Sequence, residues 1–258
     1  MNSHTRTNQW DLFKILVHAE LVQRYQGSML GFLWVFLKPL LLFFVLLGVF
    51  QVFAISQGIN NYPLYLLLGI LTFNFFSEGT TLGMNAILNK SHIIKKIAFD
   101  RKLAVLASVT HAGMNYLFSL LIFTLISFYL GNFVSFVELF VFVFHVIALA
   151  LLIACISAFL SIVVVWFRDL SSIWEVLLLM LFYLTPVFYP VQIVPPAWRD
   201  LYMLNPLTIL ITNMRNILIS HDLSQVSFTW LLAVIIGPLA ILGYIFFGHF
   251  SKYIAEQI

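Results

Sequence analysis

The sequence predicts an all-α integral membrane protein with six transmembrane helices and with both termini in the cytoplasm. Hydrophobic residues make up 62% of the chain and charged residues only 9%, whereas an average soluble domain has about 25% charged residues. Six apolar stretches also approach the roughly 20 residues with which a helix spans a bilayer. These predicted crossings are residues 33–54, 62–84, 103–130, 139–167, 173–189 and 228–247.

The placement of lysine and arginine predicts the orientation of these crossings. Eleven of the thirteen basic residues fall on one side, and only Arg199 and Arg215 fall on the other. The eleven are Arg6, Lys14, Arg24, Lys38, Lys90, Lys95, Lys96, Arg101, Lys102, Arg168 and Lys252. Because short cytoplasmic loops carry the excess of basic residues, we expect that side to be cytoplasmic in a multi-pass protein of the cell inner (cytoplasmic) membrane.

Signatures of catalysis are absent from the sequence. It contains no phosphate-binding G-x-x-x-x-G-K-[ST] loop, no H-E-x-x-H, no G-x-S-x-G and no cysteine or histidine cluster with metal spacing. We therefore predict no catalytic residue, no metal ligand and no cofactor bound by this chain, so that any use of ATP must occur in another subunit. No long basic run points to nucleic acid as a partner. The single cysteine, Cys155, is expected to be a packed side chain.

Residues 8–26 are predicted to form an amphipathic helix ahead of the first crossing. Trp10, Phe13, Val17 and Leu21 share one face when successive residues are placed 100° apart. A helix of this kind lies in the head-group plane of the membrane. We therefore expect an interface helix on the cytoplasmic side.

Ionisable residues inside the crossings are candidates for function, because charge at that depth is costly unless it is relieved. These residues are Glu78, Glu138, His111 and His145. They are interpreted either as packed side chains or as a polar channel wall, with a proton relay as the alternative. Lys38, near the cytoplasmic end of the first crossing, either extends its ammonium group to the head groups or belongs to an ion pathway.

The cytoplasmic loop 85–102 alternates apolar and basic residues. A short helix that lies across the cytoplasmic end and contacts another protein would use both kinds of side chain. The alternative is a loop that binds lipid head groups and carries charges that only set the topology. The candidate contact residues are Lys90, Ile93, Ile94, Lys95, Lys96 and Phe99.

The external connection 190–227 is much longer than an ordinary turn between helices. Asn205 followed by Pro206 predicts a helix N-cap and a proline in the first turn. Apolar residues on the external side predict segments that dip back into the membrane, where irregular backbone survives only when it is buried or lines a wet cavity. We therefore predict a re-entrant exit gate, with a plain external amphipathic helix as the alternative.

Aromatic residues make up 17% of the chain, including 27 phenylalanines. Trp34, Tyr62, Trp166, Tyr189 and Trp198 lie near the ends of predicted crossings, as in an interfacial aromatic belt. The alternative is a pore lined by rings that pack on the faces of sugars.

Three passages resemble the permease subunits of polysaccharide-exporting ABC transporters, the O-antigen, teichoic acid and capsule exporters. The first is RYQGSMLGFLWVFLKPLLLFFVLLGVF at 24–50, with its Arg-Tyr pair, Leu-Gly, Trp and Pro. The second is FRDLSSIWEVLLLMLFYLTPVFYP at 167–190, and the third is PPAWRDLYMLNPLTILITNMR at 195–215. Lys38, immediately before Pro39, departs from the Asn or Trp expected in that family.

The resemblance implies a homodimer, with a channel between the two copies and two nucleotide-binding ATPase subunits that use ATP and Mg²⁺. It implies that the loop 85–102 docks on the ATPase and that a lipid-linked glycan is the substrate, among membrane lipids. Head-group contact would involve Arg24, Tyr25 and Trp34, and Arg24 would pair with the carrier phosphate or only anchor lipid. The implied gate and channel residues are Phe182, Tyr183, Pro186, Phe188, Tyr189, Asn205, Pro206 and Arg215.

Other classes of transporter remain alternatives. An ABC permease that exports a drug or a small lipid would have the same architecture. An ion-coupled secondary transporter would show paired ionisable groups near the midplane and two halves of matching pattern, and neither is clear in this sequence. A membrane-embedded enzyme is disfavoured, because no pair of nucleophile and base stands out.

Overall fold

The computed structural model describes residues 3–25, 27, 29–52, 59, 61–94, 99–226 and 229–250. Every regular element in this described part is helical, which confirms the predicted all-α fold. The α-helices are α1 (Ser3–Tyr25), α2 (Trp34–Val52), α3 (Tyr62–Asn89), α4 (Ser91–Ile94), α5 (Lys102–Tyr129), α6 (Phe136–Trp166), α7 (Leu170–Leu184), α8 (Pro196–Met203), α9 (Pro206–Leu218) and α10 (Thr229–Phe250). Short 3₁₀ turns lie at Gly31–Leu33, Val191–Ile193 and Leu223–Gln225.

Within the described ranges, three segments are long and apolar enough to cross a membrane: Gly31–Gln51, α5 and α6. Two further apolar helical segments, α7 and Thr229–Gly243 of α10, are shorter. α3 has 28 residues but carries Glu78 among several polar side chains. The helices therefore fit a membrane-embedded protein, while six crossings and cytoplasmic termini stay predictions.

α3 is the central helix of the fold. Eighteen of its 28 residues are buried, and it packs most extensively against α5 and α6. Small residues bring α3 and α6 close together: a Cβ atom at Gly79 would lie 2.7 Å from Cγ2 of Ile153, and one at Gly83 would overlap with the side chain of Ser157. Such small-residue contacts are the usual way in which membrane helices approach closely. The buried core is therefore arranged around α3.

Local sequence signals explain where several helices begin. α6 starts with a capping box, in which the Glu138 amide donates to Ser135 Oγ at 3.3 Å and the Ser135 amide donates to Glu138 Oε2 at 2.7 Å. The side chain of Asn205 caps α9, and Pro206 occupies its first turn, as predicted. α7 ends at Leu184, earlier than the predicted crossing 173–189, because Thr185 adopts an extended conformation before Pro186.

α2 and α7 are packed on one side only. Leu178 is the single buried residue of α7. Both helices expose large apolar side chains, which include Leu41, Phe44, Val45 and Val49 on α2 and Ile173, Val176, Leu177, Leu179, Met180 and Leu184 on α7. Exposed apolar surface of this extent in a membrane protein meets either lipid or another protein chain.

Candidate functional site

A buried arginine joins three segments at the predicted external end. Arg215 of α9 is 3% exposed. Its Nε and Nη2 atoms both donate to the carbonyl oxygen of Tyr65, at 3.1 and 2.9 Å. Nη1 donates to the carbonyl oxygen of Pro186 at 2.5 Å, and Nη2 also donates to the carbonyl oxygen of Val187 at 2.6 Å. The fork of guanidinium donors thus satisfies the carbonyl groups of Pro186 and Val187, which lie outside the helices, and also meets that of Tyr65 within α3. Arg215 fastens the turn 185–189 to α3 and α9.

Tyr65 and Gly69 shape the space that this guanidinium occupies. The guanidinium carbon of Arg215 lies 3.4 Å from the centroid of the Tyr65 ring, in the geometry of a cation–π contact. A Cβ atom at Gly69, one turn further along α3, would overlap with Nη2 of Arg215 and with the carbonyl oxygen of Val187. The turn 185–189 can approach α3 because residue 69 has no side chain.

Two tyrosine hydroxyls of α3 hold the same turn along its backbone. The Tyr62 hydroxyl donates to the carbonyl oxygen of Phe188 at 3.0 Å, and the Tyr65 hydroxyl donates to that of Tyr189 at 3.1 Å. The Tyr189 hydroxyl donates to the carbonyl oxygen of Tyr183 at 2.8 Å. These bonds fix the chain between α7 and the following segment.

The hydroxyls of Tyr189 and Tyr202 are also hydrogen-bonded to each other. Phenol groups are neutral at physiological pH, so this hydrogen bond links α8 to the turn 185–189 without charge.

Phe188 lies at the centre of an aromatic cluster. Its ring stacks on Phe50 of α2 with centroids 4.8 Å apart and planes 9° apart, and it lies 5.8 Å from Phe182 and 6.0 Å from Tyr183 of α7. Phe182 in turn meets Phe73 of α3 edge to face at 5.1 Å. The cluster joins α2, α3 and α7 through rings alone.

Asn205 completes the connection between the turn and α9. Its Oδ1 accepts from the Leu207 amide at 3.0 Å, while its Nδ2 donates to Thr185 Oγ1 at 3.2 Å. The structure thus joins the eight residues predicted for the gate in one connected unit. Their function as a gate stays a prediction, and sequence reasoning missed Tyr62, Tyr65 and Gly69, which hold the unit to α3.

The predicted coupling loop begins with a buried ion pair. Lys90 is buried, with only 7% of its surface exposed. It pairs with Glu20 of α1 and also donates to Ser108 Oγ at 3.0 Å and to the carbonyl oxygen of Ala104 at 3.2 Å. Ser108 Oγ donates to the same Glu20 oxygen at 2.5 Å. Lys90 therefore clamps α1 to α3 and α5, and its ammonium does not form part of an exposed docking surface.

Sequence reasoning missed Glu20 and Ser108, although Glu20 carried a signal. On a helical wheel Glu20 falls beside Phe13, within the apolar face of α1. A carboxylate on an apolar face requires a buried cation as a partner, and Lys90 provides it.

The other predicted coupling residues are only partly described. Ile93 and Phe99 are partly buried. Lys95 and Lys96 lie outside the described residues, as does the side chain of Ile94. Docking of this loop on an ATPase stays a prediction.

The predicted head-group residues lie around the start of α2. Arg24 and Tyr25 are the last residues of α1, but their side chains lie outside the described part of the structure. Trp34 begins α2 and is 37% exposed. It also lines a cavity of about 410 Å³ between α2, α3 and α5.

Two of the ionisable residues predicted within crossings have local structural partners. Glu138 closes the capping box of α6 and its Oε1 meets Nδ1 of His221 at 3.0 Å. His145 Nδ1 donates to the carbonyl oxygen of Val141 at 2.8 Å, and its Nε2 lies 3.4 Å from Asn213. These contacts favour the packing interpretation for both residues.

Glu78 and His111 share a partner on α5. Asn115 Nδ2 donates to Glu78 Oε1 at 2.8 Å and lies 3.4 Å from His111 Nε2. Glu78 and Asn115 line the cavity that Trp34 also borders. Among the described residues, no group of three or more His, Cys, Asp or Glu is placed to hold a metal ion.

Comparison with known protein families identifies the family of this chain. The family profile for ABC-2 type transporters matches residues 11–219, which include the greater part of α1, the Lys90 clamp, the aromatic cluster and Arg215. The chain belongs to the ABC-2 type transporter family.

Three relatives within this family match most of the chain. An O-antigen export system permease protein RfbA of Myxococcus xanthus is 32% identical over 210 residues, which cover 81% of this chain and 80% of the relative. Two proteins of the same name from Klebsiella pneumoniae are 25% and 26% identical over 233 and 215 residues. These matches cover 88% and 83% of this chain and 90% and 83% of the relatives. The resemblance to polysaccharide-export permeases is thereby confirmed.

Proposed function

We propose that this chain is the channel-forming permease subunit of an ABC transporter that exports a lipid-linked, O-antigen-like polysaccharide across the cytoplasmic membrane. The observation that carries the proposal is near full-length similarity to three O-antigen export permeases. ATP hydrolysis takes place in two partner ATPase subunits, and two copies of this chain complete the assembly.

The distribution of buried and exposed residues supports a channel made by two copies rather than by one. α3 fills the centre of the chain with 18 buried residues, so no wide passage runs through the core. α2 and α7 expose apolar side chains on either side of the Phe188 cluster. A second copy that faces these helices would enclose a passage bordered by aromatic rings, which grip the C–H faces of sugars without a fixed register.

α3 also supplies a route from ATP hydrolysis to the gate. Its 28 residues span about 42 Å at 1.5 Å per residue. Lys90 and the coupling loop follow one end, and Tyr62, Tyr65 and Gly69 hold the turn 185–189 near the other. A displacement at the ATPase surface would reach the gate as a rigid movement of α3, since packed helices switch between discrete arrangements.

A drug or small-lipid exporter is the second candidate, and one observation favours it. An apolar cavity of about 670 Å³ lies between α5 and α6, bordered by Phe123, Phe142 and Leu218. Its walls suit an apolar guest better than a hydrated glycan. The relatives named for O-antigen export still favour the polysaccharide.

Genetic complementation and purification test the proposal together. The gene is deleted in its own host, and surface polysaccharide is measured with and without a plasmid copy. The chain is also purified with the ATPase encoded beside it. We expect surface polysaccharide to depend on the gene, and a complex of two chains with two ATPases. Unchanged surface polysaccharide after deletion would contradict the proposed substrate, and a chain that binds no ATPase would contradict the proposed transporter class.

A further inference from the structure

A polar cavity between α2, α3 and α5 lies apart from the turn 185–189. Its volume of about 410 Å³ falls within the range of roughly 300–1,000 Å³ that is typical of ligand sites. Lys38 and Trp34 border it from α2, Glu78 and Phe75 from α3, and Asn115 and Tyr116 from α5. A cation, a carboxylate, an amide and three aromatic rings thus surround one space.

Two charged side chains border this cavity from different helices. Lys38 is exposed at the cavity wall within α2, which is apolar enough to span a membrane. Glu78 is directed by Asn115, which is 4% exposed and donates to the carboxylate at 2.8 Å. Charges at membrane depth are costly and mark functional sites. A buried amide that orients a carboxylate toward an open cavity has the arrangement of a binding site.

The chemistry of the walls fits a sugar that carries a phosphate. The carboxylate of Glu78 and the amide of Asn115 are planar groups that pair with hydroxyls. Trp34 borders the cavity and is 37% exposed, and an aromatic ring can pack on the C–H side of a sugar. The Lys38 ammonium supplies a charge-assisted donor for phosphate.

Lys38 and Glu78 border the same cavity from two neighbouring helices. One ligand that carries both a phosphate and hydroxyl groups could therefore meet both side chains at once.

We propose that this cavity binds the first sugar and the phosphate of the lipid-linked glycan, with Lys38 on the phosphate and Glu78 with Asn115 on the sugar hydroxyls. The proposal rests on the proposed function and names the part of the substrate that the cavity holds. Lys38 and Glu78 are then binding residues, and the sugar enters the membrane region between α2 and α3.

Binding of two synthetic probes tests this assignment in the complete complex with its ATPase. One probe is farnesyl diphosphate, and the other is farnesyl diphosphate with a single N-acetylglucosamine. Lys38→Met removes the cation, so we expect both probes to bind about tenfold more weakly. Glu78→Gln removes only the charged acceptor, so the sugar-bearing probe alone should bind several-fold more weakly. Lys38→Arg keeps the cation and should restore much of the affinity.

Two control variants and a labelling measurement distinguish a loss of binding at the cavity from general misfolding. Lys14→Met on α1 and Asp200→Asn on α8 change exposed charges and should leave both affinities unchanged. Cys155 is the only cysteine, so a C155A background with Thr81→Cys at the cavity wall reports on access. We expect the sugar-bearing probe to slow maleimide labelling at position 81 in a folded, fully active complex.

The outcomes separate this assignment from the proposed function. If the wild-type gene supports polysaccharide export but both cavity variants bind the probes like the controls, the cavity assignment is wrong and the function stands. Equal weakening of both probes by Glu78→Gln would overturn the sugar contact. If the wild-type gene does not support export, the proposed function itself fails.

Discussion

At the scale of single residues, Arg215 shows how burial changes the meaning of a charge. In the sequence it counts as one of two basic residues on the external side. In the structure its guanidinium group donates hydrogen bonds to the carbonyl oxygens of Tyr65, Pro186 and Val187. Hydrogen bonds to several acceptors offset the desolvation penalty of a buried cation. Two of these three acceptors, in Pro186 and Val187, lie in the turn of the proposed gate.

Arg215→Lys should destabilise the protein, because one ammonium cannot reach all three carbonyl oxygens as the guanidinium fork does. Each buried acceptor left unpaired costs about 1–3 kcal/mol, so we expect a clear fall in the melting temperature of the purified protein. Arg199→Lys is the control, since Arg199 donates to carbonyl oxygens of Gln192 and Val194 near the surface. Equal melting temperatures for the two variants would contradict the role of Arg215.

Gly69→Ala tests the same unit from the side of α3. The added methyl group would overlap with Arg215 Nη2 and Val187 O, so the turn 185–189 must move away and proteases should cut it faster. Gly48→Ala is the control, since a Cβ atom at Gly48 meets nothing within 4 Å. Limited proteolysis at the same rate in both variants would show that the turn does not depend on this close approach.

The sequence predicted part of this site, and the limit is physical. Asn205 and Pro206 were identified because capping is a local signal between neighbouring residues. The bonds from Tyr62 and Tyr65 to the turn join residues more than 120 positions apart, and no local pattern encodes them. Glu20 is intermediate, because its place on the apolar face of α1 signalled a buried partner but not which lysine.

At the scale of elements, the contact of α1 with α3 and α5 depends on one ion pair. Lys90 and Glu20 lie largely buried at that junction. α4 follows Lys90 immediately, so the ion pair holds α1 to the point where the coupling loop leaves α3. The predicted interface helix therefore has a second role as a support for the proposed docking region.

Lys90→Met should release α1, because it leaves the Glu20 carboxylate buried without a cation, a change that typically costs about 3–5 kcal/mol. Adding Glu20→Gln should recover part of the loss, since two neutral side chains no longer require each other. The stability of the single and double variants in detergent measures this coupling. Additive losses in the double variant would contradict a direct pair.

His221 links the connection between α5 and α6 to the end of α9. Its Nδ1 meets Glu138 Oε1 at 3.0 Å and its Nε2 meets Asn132 Oδ1 at 2.7 Å, while Asn132 Nδ2 donates to the carbonyl oxygen of Leu218 at 2.7 Å. His221→Ala should raise hydrogen exchange in residues 127–138. His18→Ala, at an exposed position of α1, should not. Unchanged exchange in the His221 variant would exclude this link.

At the scale of the whole molecule, the proposed channel needs a second copy. Apolar content predicted the helical membrane fold, and the three resembling passages predicted the family. Neither predicted which faces remain uncovered, because the apolar helices have similar compositions. The structure shows that α2 and α7 expose apolar side chains beside the Phe188 cluster, while α5, α6 and α10 expose others elsewhere.

The most direct measurement uses the chain and its partner ATPase reconstituted in liposomes with lipid-linked polysaccharide from the native host. We expect ATP to move the polysaccharide to the opposite leaflet, where a glycosidase added to that side digests it, and Lys38→Met to slow this movement. Digestion that does not depend on ATP, or ATP hydrolysis without any movement of the polysaccharide, would contradict the proposed export function.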